Sequence, residues 1–560
     1  MTRNALTIVL LAACSASGGA ACSGREGDPD FGPPDAGAVD LSVDLSPARD
    51  MGSAPLDAGP PPTARLVAPL ATSIVTTHRP TLRVELGGGT QAEVEVCSTR
   101  DCATPTLDTV LAPTVSGLTV HDALTPGLTF WRTRSRNGEL GAFGPWSATW
   151  SFRVPVLDTA SDTSYGGRFD FDGDGLTDFG WTESLASGRQ VVHVLYGART
   201  AALAEATDLT FGSLFPRVSA AGDLNGDGCS DAFVSAAGDD ASDPAVLLFG
   251  SADRSPSPTM ATIAVRTEDT YSFYAIGDAN GDGFADMFGE YGAGTTPPLR
   301  PFSVWTGSVT GASSLLGVAD APPMFDGFTE LGDRDADGWQ EEVAVAERTF
   351  ARVEPSGGFD DSMVELHTLD AGVFTGVAVG DFDGDGRTDI AAGVEPVVGG
   401  DASVYVLHGD DPVTFDDSRL VIPPPTSGTQ FGNLMRSVGD TDGDGYDDLI
   451  VVELGRYGSP PWLFRGGATG LDASRYTRLG PGWAPSRSVT IAEVDHGDFD
   501  GDGLEDIVLV RFDASAPITP SCSSPRRGIY EVYTAAGGRR FPSITWSACG
   551  ASGPVFRASY

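Results

Sequence analysis

The chain has 560 residues, 41% of them hydrophobic and 20% charged, with 77 acidic residues against 35 basic ones and a formal net charge of −42. That length calls for more than one domain, and the acidic excess argues against a nucleic-acid partner, because phosphate binding needs clustered cations. All 35 basic residues are arginine, which excludes lysine-based catalysis and a Walker-type phosphate loop. The apolar residues come in short runs rather than helical stripes, so an all-β chain is expected.

Residues 1–13 hold one positive residue, Arg3, followed by an apolar run that leads to Leu11-Ala12-Ala13-Cys14. A short apolar segment after a basic start reads as an export signal, too short to span a membrane as a mature helix. Leu-Ala-Ala-Cys resembles the bacterial lipobox, which implies that Cys14 becomes the lipidated first residue. Gly19-Ala20-Ala21-Cys22 is the alternative, with a poorer glycine at the leucine position but a more usual signal length, so Cys22 stays open beside Cys14. Neither cysteine is followed by Asp, and the resemblance then implies an outer-membrane or surface location, with plain secretion as the alternative. Membrane contact is expected through this anchor alone, since no other stretch is apolar enough to span a bilayer.

Residues 14–64 are rich in Pro, Asp, Ala, Gly and Ser. They cannot bury a core and are expected to form a disordered tether, with an r.m.s. span of about 35 to 40 Å as a flexible coil.

Residues 65–154 change to alternating segments, RPTLRVEL, AEVEVCS, LTFWRTRSR and SATWSFRV, which fit a β-sandwich. The run from Leu124 to Arg132 is similar to the turn and penultimate strand of a fibronectin type III domain, with Phe130 where that family has Tyr. Trp131, Trp146 and Trp150 are read as core or strand-packing residues rather than a sugar platform. Cys97 and Cys102 lie five apart in a hairpin-like stretch, which points to a local disulfide in an exported protein.

Residues 155–560 are built on a repeat. The pattern Asp-x-[Asp/Asn]-x-Asp-Gly-x-x-[Asp/Glu] occurs seven times, at Asp170, Asp223, Asp278, Asp333, Asp381, Asp440 and Asp498, with spacings of 53, 55, 55, 48, 59 and 58 residues. A period of that size belongs to propeller blades or solenoid units. These nine-residue segments are called loops 1 to 7 below.

The spacing suits a hard divalent cation, which takes six to eight oxygen ligands about 2.3 to 2.6 Å away in a compliant cage. Position one supplies the seven aspartates just named, and position three supplies Asp172, Asn225, Asn280, Asp335, Asp383, Asp442 and Asp500. Position five supplies Asp174, Asp227, Asp282, Asp337, Asp385, Asp444 and Asp502, and position nine Asp178, Asp231, Asp286, Glu341, Asp389, Asp448 and Asp506. Position seven can add a backbone carbonyl, from Leu176, Cys229, Phe284, Trp339, Arg387, Tyr446 and Leu504. Glycine at position six permits the sharp turn that folds the loop round an ion. Up to seven Ca2+ are therefore expected, and they would offset about a third of the net charge. The Cys229 thiol is incidental to such a site, because the metal wants oxygen.

An EF-hand would need a bidentate Glu at loop position twelve, where this chain has Trp181, Val234, Gly289, Ala344, Ala392, Val451 and Leu509. Strand-like runs follow instead, such as DAFVSA, DIAAGV and DIVLVR. A further strand ending in glycine recurs downstream, at Gly197, Gly250, Gly307, Gly409 and Gly466. Each period thus offers the strands of one four-stranded propeller blade.

On these residues the region resembles the FG-GAP or VCBS repeats of the integrin α-subunit β-propeller and of bacterial and fungal lectin-like relatives. The glycine before loops 2 to 7 (Gly222, Gly277, Gly332, Gly380, Gly439, Gly497) matches that family, while loop 1 has Phe169 and loop 4 has Ala336 and Glu341. The resemblance implies a seven-bladed propeller with Ca2+ between the first two strands of each blade. The C-terminal GPVFRASY reads like a lead-in strand and is expected to complete the first blade, leaving no exposed edge. Cys522 and Cys549 flank the last blade and form a second candidate disulfide.

No HExxH, GxSxG or phosphate-binding loop is present, and His78, His121, His193, His367, His408 and His496 show no metal-like spacing. The expectation is a non-catalytic, surface-tethered binding or adhesion protein, monomeric, with a protein or glycan partner. A calcium-dependent lectin and a secreted hydrolase with a site in divergent propeller loops are the alternatives.

Overall fold

The computed structural model describes residues 60–557 apart from intervals mainly in strand-to-strand connections, such as 410–419, 514–524 and 550–555, together with 333 and 335–339 in loop 4. All of the described residues belong to one unit, Asp57–Tyr560. The architecture is all-β, with no helix among the described residues. The export signal, both candidate lipidation sites (Cys14 and Cys22) and almost all of the tether lie outside the described residues, as does Cys522.

The first seven strands make a sandwich: β1 (Arg65–Ala68), β2 (Thr81–Glu85), β3 (Gln91–Cys97), β4 (Pro105–Val110), β5 (Gly117–Thr119), β6 (Gly127–Arg136) and β7 (Trp150–Val154). One sheet has the order β1-β2-β5 and the other β4-β3-β6-β7. Alternation along β2 and β6 puts every second side chain inside, as expected when one face of each sheet is buried. Leu66, Leu82, Val84, Val94, Val96, Trp131, Trp150 and Phe152 form a shared core. Trp131 and Trp150 meet edge to face at 6.3 Å, and burying each large side chain is worth about 1.5 to 3 kcal/mol. Trp146 lies outside this core, where Arg132 and Arg134 stack on its ring at 4.3 and 4.2 Å. Cys97 and Cys102 are disulfide-bonded.

The rest of the chain forms seven sheets in chain order, one for each acidic loop. In each four-stranded sheet the strands lie side by side in sequence order and pair antiparallel. Among the described residues the first blade has three strands, over residues 179–211.

The acidic loops themselves chain the blades together. In six of the seven loops the N–H at position eight donates to the position-one carbonyl of the loop before it: Ser230 to Asp170 (2.7 Å), Ala285 to Asp223 (3.1 Å), Gln340 to Asp278 (3.3 Å), Asp447 to Asp381 (3.0 Å) and Glu505 to Asp440 (3.2 Å). The same bond joins the ends of the array, where Thr177 of loop 1 donates to Asp498 of loop 7 at 3.0 Å. A parallel set runs from the residue after four of the strand-ending glycines to the neighbouring position two. Ser251 donates to Phe171, Ser308 to Leu224 and Gly467 to Phe382, and Ala198 closes the circle on Phe499 at 2.9 Å. The ring is therefore closed through its loops.

The C-terminal strand departs from expectation. Phe556–Arg557 pairs in parallel with Pro216–Gly222 of the second blade, at Val218 and Ser219, rather than completing the first blade. It lies beside strands of blades 1 and 7 as well. The physical reason is that the unpaired edge of the second blade's inner strand offers free ladder groups beside the three described strands of blade 1.

The sandwich sits on the loop end of this ring. Arg153 of β7 donates to the Gly503 carbonyl at 2.6 Å and to Asp498 Oδ2 at 2.7 Å, both in loop 7. Trp150 Nε1 donates to the Gly226 carbonyl of loop 2 at 3.2 Å. Arg100 donates to the carbonyls of Gly173 and Gly228, and Arg65 lies over the Phe284 ring of loop 3 at 4.4 Å. Leu157, just beyond β7, packs so closely on loops 5 and 6 that a Cβ on Gly384 or Gly445 would lie 2.7 or 2.4 Å from it.

Candidate metal centres

Each loop but loop 4 is held in shape by its own backbone, as far as the described residues go. The position-one carboxylate accepts the N–H of the position-six glycine, as in Gly175 to Asp170 (2.7 Å), Gly228 to Asp223 (2.8 Å) and Gly445 to Asp440 (2.7 Å). Position five accepts the N–H of position seven, as in Leu176 to Asp174 at 2.9 Å. The position-six glycines of loops 1, 2, 3, 5, 6 and 7 all have φ between +82° and +91°, a left-handed conformation that a Cβ would strain.

Position nine does a second job. Its Oδ2 accepts the N–H of position two of its own loop, as in Phe171 to Asp178 (2.7 Å) and Leu224 to Asp231 (3.0 Å). Its Oδ1 accepts the N–H of the glycine that ends a later strand: Gly197 to Asp178, Gly250 to Asp231, Gly307 to Asp286, Gly409 to Asp389 and Gly466 to Asp448, all between 2.8 and 3.0 Å. That explains the recurrent glycine. A Cβ on Gly250 would lie 2.3 Å from the Ser230 carbonyl and 2.5 Å from that of Phe171 in the preceding blade.

These bonds gather carboxylates where water is scarce. Asp170, Asp172 and Asp178 are all buried, and so are Asp231, Asp286, Asp389 and Asp448. Carboxylate oxygens of Asp170, Asp172 and Asp178 lie within 4.8 Å of one another, as do those of Asp381, Asp383 and Asp385 and of Asp440, Asp442 and Asp444. Burial, with the neighbouring carboxylates, raises Asp170, Asp178, Asp231 and Asp286 well above the usual range. The same causes push Asp223 and Asp278 to about 7 and Asp381 to about 9. Asp170 Oδ1 is buried with no hydrogen-bond partner. A bare buried carboxylate oxygen among three further oxygen donors is the donor set of a hard divalent cation.

The loops fall into two classes by their surroundings. In loop 1 Arg254 pairs with Asp172 and with Asp174 Oδ2 at 3.0 Å, its guanidinium over the Tyr196 ring. In loop 6 Arg465 pairs with Asp448 and lies 3.5 Å from Asp442 Oδ2. In loop 7 Arg153 pairs with Asp498 and lies 3.6 Å from Glu505. Loop 5 has Arg387 near Asp385 and the His408 imidazole beside Asp383 and Asp389, which push it up to about 10. Loops 2 and 3 have Asn225 and Asn280 at position three, and among the described residues no basic side chain pairs with their carboxylates. Asn225 Nδ2 instead donates to Asp227 at 3.1 Å.

In loop 4, Asp333, Asp335, Asp337 and Trp339 lie outside the described residues. Glu341 is described, and its Oε2 accepts the Arg334 N–H at 2.6 Å, the position-nine clamp of the other loops made with a longer side chain. Loop 1, despite Phe169 in place of glycine, is among the most buried, with Phe169 packed on Phe171 at 5.6 Å. The Cys229 thiol is buried 3.7 Å from Arg100, and burial pushes its pKa up.

The basic partners were not found by reading the repeats alone, because Arg153 and Arg254 lie far from their loops in sequence. A signal for two of them exists: the residue before the strand-ending glycine is Tyr196, Phe249 and Thr306 in blades 1 to 3 but His408 and Arg465 in blades 5 and 6.

Comparison with known proteins agrees with this construction. The profile of the FG-GAP-like repeat matches residues 440–509, which hold loop 6, the second to fourth strands of blade 6 and loop 7. Integrin alpha-PS5 of Drosophila melanogaster is 29% identical over 145 residues, covering 24% of this chain and 14% of that protein, so the chain spans a small part of its curated relative. Among solved structures, the exotype rhamnogalacturonan lyase YesX has 13% identity and a TM-score of 0.35, covering 86% of this chain and 92% of that one. Rhamnogalacturonan lyase YesW has 12% identity and a TM-score of 0.32, with coverage of 86% and 91%.

The expectation of a protein without catalytic activity is corrected here: the solved structures to which the chain is similar are lyases. A site assembled from residues on several blades leaves no linear motif, and a motif search cannot see it. A likeness at that TM-score assigns neither a reaction nor a substrate to this chain. What the profile match establishes is narrower: residues 440–509 carry an FG-GAP-like repeat, and the same acidic loop recurs in each of the seven sheets.

Proposed function

We propose that this protein is a surface-tethered binding or adhesion protein in which a calcium-stabilised propeller serves as the interaction platform. The observation that carries the reading is the buried loop carboxylate set, with Asp170 Oδ1 left without a partner inside a ring whose loops bond to one another. Bound Ca2+ would be held by the carboxylates and amide oxygens at positions one, three, five and nine and would neutralise charge that burial otherwise makes costly. The chain's own residues supply the frame: backbone N–H groups aim the carboxylates, and Arg153, Arg254 and Arg465 cover part of their charge.

This is first a structural role. The sandwich covers loops on one end of the ring, so the surface left for a partner lies on the rest of the propeller and on the outer sandwich face. The lipobox-like segment supports display at a membrane surface, with Cys14 as the anchor. Labelling with a palmitate analogue tests that part, with label expected on wild type and lost on Cys14→Ala; label lost on Cys22→Ala instead would move the anchor.

The function is tested by affinity capture on the calcium-loaded chain, followed by the same capture in excess EGTA. A saturable protein partner lost on chelation supports the reading. Saturable binding on a glycan array with no protein partner would turn the assignment to a lectin, and turnover of a polysaccharide without retained binding would overturn it.

A further inference from the structure

Loop 5 differs from its siblings in the chemistry of the side chain that faces its carboxylates. In loops 1, 6 and 7 that group is a guanidinium, a permanent cation with five donors and no lone pair to offer a metal. In loop 5 it is His408, at the end of the strand Ser403–Leu407 in the same blade. Its Nδ1 lies 3.4 Å from Asp383 Oδ2 and 3.5 Å from Asp389 Oδ2. One ligand atom from each of the three residues lies within 4.8 Å of the other two.

These separations are long for hydrogen bonds, and His408 Nδ1 is buried with no hydrogen-bond partner. They suit three ligands of one ion. With metal–ligand distances of about 2.0 to 2.2 Å, the edge of a tetrahedral site is about 3.3 to 3.6 Å. The ligands are also aimed: Asp389 accepts from Phe382 N at 3.1 Å and from Gly409 N at 2.8 Å, which fixes its carboxylate plane. The imidazole is packed on the turn of the next blade, where a Cβ on Gly470 would lie 2.2 Å from His408 Cε1.

We propose that loop 5 holds a first-row transition metal of the zinc type through His408 Nδ1, Asp383 Oδ2 and Asp389 Oδ2. An imidazole with two carboxylates favours such an ion over Ca2+, which takes oxygen ligands only. The metal takes the place of the imidazole proton, and three protein ligands leave a fourth position for water or an exogenous donor. The side chains of His408 and Asp383 are 16% and 20% exposed, so that position is reachable from solvent.

The test uses the full chain, stripped with chelator and dialysed against millimolar Ca2+ with micromolar Zn2+. Metal content by mass spectrometry is expected to show one Zn2+ equivalent retained by wild type and by His121→Ala, whose side chain is fully exposed. His408→Ala and His408→Gln are expected to lose that equivalent. Equal zinc content in wild type and both variants, or no retained zinc in wild type, would overturn the proposal. Because a variant could fail to fold, the wild-type protein loaded with Co2+ is also examined by X-ray absorption. One imidazole nitrogen among oxygen ligands is expected, and a shell of oxygen alone overturns the assignment. Failure here leaves calcium binding by the other loops untouched, since that is read from the melting curve in Ca2+ without zinc.

Discussion

Loops 2 and 3 and loops 1, 6 and 7 solve one electrostatic problem in two ways. The first pair carries three acids at the four side-chain ligand positions, with Asn225 and Asn280 at position three; among the described residues its carboxylates form no direct ion pair, and Arg100 and Arg65 act on Asp227 and Asp282 only from a distance. The second group carries four acids and in every case meets a guanidinium: Arg254, Arg465 or Arg153. Once a divalent cation is added, both classes arrive at the same residual charge of about one negative unit. The difference teaches that Asp or Asn at position three is set by what stands beside the loop, and that a variable ligand position can be read as half of a pair.

The largest effect should come from removing the metal altogether. Each ion bound by the folded state alone at a concentration of 100 times its Kd contributes about 2.7 kcal/mol. Excess EGTA is therefore expected to lower the melting temperature steeply, and an unchanged melting curve would sink the calcium assignment. The chelated protein should also respond to pH. Asp223, Asp278 and Asp381 have native pKa values of about 7, 7 and 9, above the ordinary 3.8, so the folded state binds more protons than the unfolded one in that window. Stability of the metal-free protein should then be highest near pH 4 and fall as pH rises through 7 to 9. Differential scanning fluorimetry from pH 5 to 9 checks this, and the slope should flatten in saturating Ca2+.

Next in size is Arg153→Met. Removing one partner of a buried pair leaves Asp498 without its ion-pair partner and Glu505 with His496 beside it at the junction of sandwich and ring, at a cost of about 3 to 5 kcal/mol. Denaturant unfolding measures it, and a loss under about 1 kcal/mol would show that Arg153 does not hold the two parts together.

Smaller still is Arg465→Met, expected to cost about 1 to 3 kcal/mol without metal because Asp448 loses its charged donor. In Ca2+ the loss should shrink, since the ion replaces the guanidinium, and the same loss with and without Ca2+ would break the comparison between the loop classes. The smallest change is Asn225→Asp, which turns a three-acid loop into a four-acid loop without a partner. It should lower metal-free stability by about 1 kcal/mol or less while tightening Ca2+ binding in calorimetry. Weaker Ca2+ binding would mean that the class boundary is not a matter of charge.

Much of this was legible in the sequence because the signals are local. The ligand positions, the position-six glycine and the flanking strands all fall within some fifteen residues, and their periodicity announces seven blades. The glycines at 197, 250, 307, 409 and 466 were visible as a pattern, but their cause was not: the close approach of two carbonyls and the clamp to position nine exist only after folding. The basic partners and the docking of the sandwich depend on contacts across 80 residues for Arg254 with Asp174 and 345 for Arg153 with Asp498. The pairing of the C-terminal strand failed as an expectation for a related reason. Sequence similarity to a lead-in strand gives a conformation but not an address, and two edges were open at that seam.

The bond from Thr177 to Asp498 has a consequence for how the molecule comes apart. An open row of repeats frays from its termini, one unit at a time, and its stability is a sum over neighbours. A circle has no terminal unit. Losing one loop here releases a donor on one side and an acceptor on the other, so damage spreads in both directions and the blades should melt as a single cooperative body. A truncation that removes the last blade would convert the circle to a row, and its unfolding transition should broaden as well as shift.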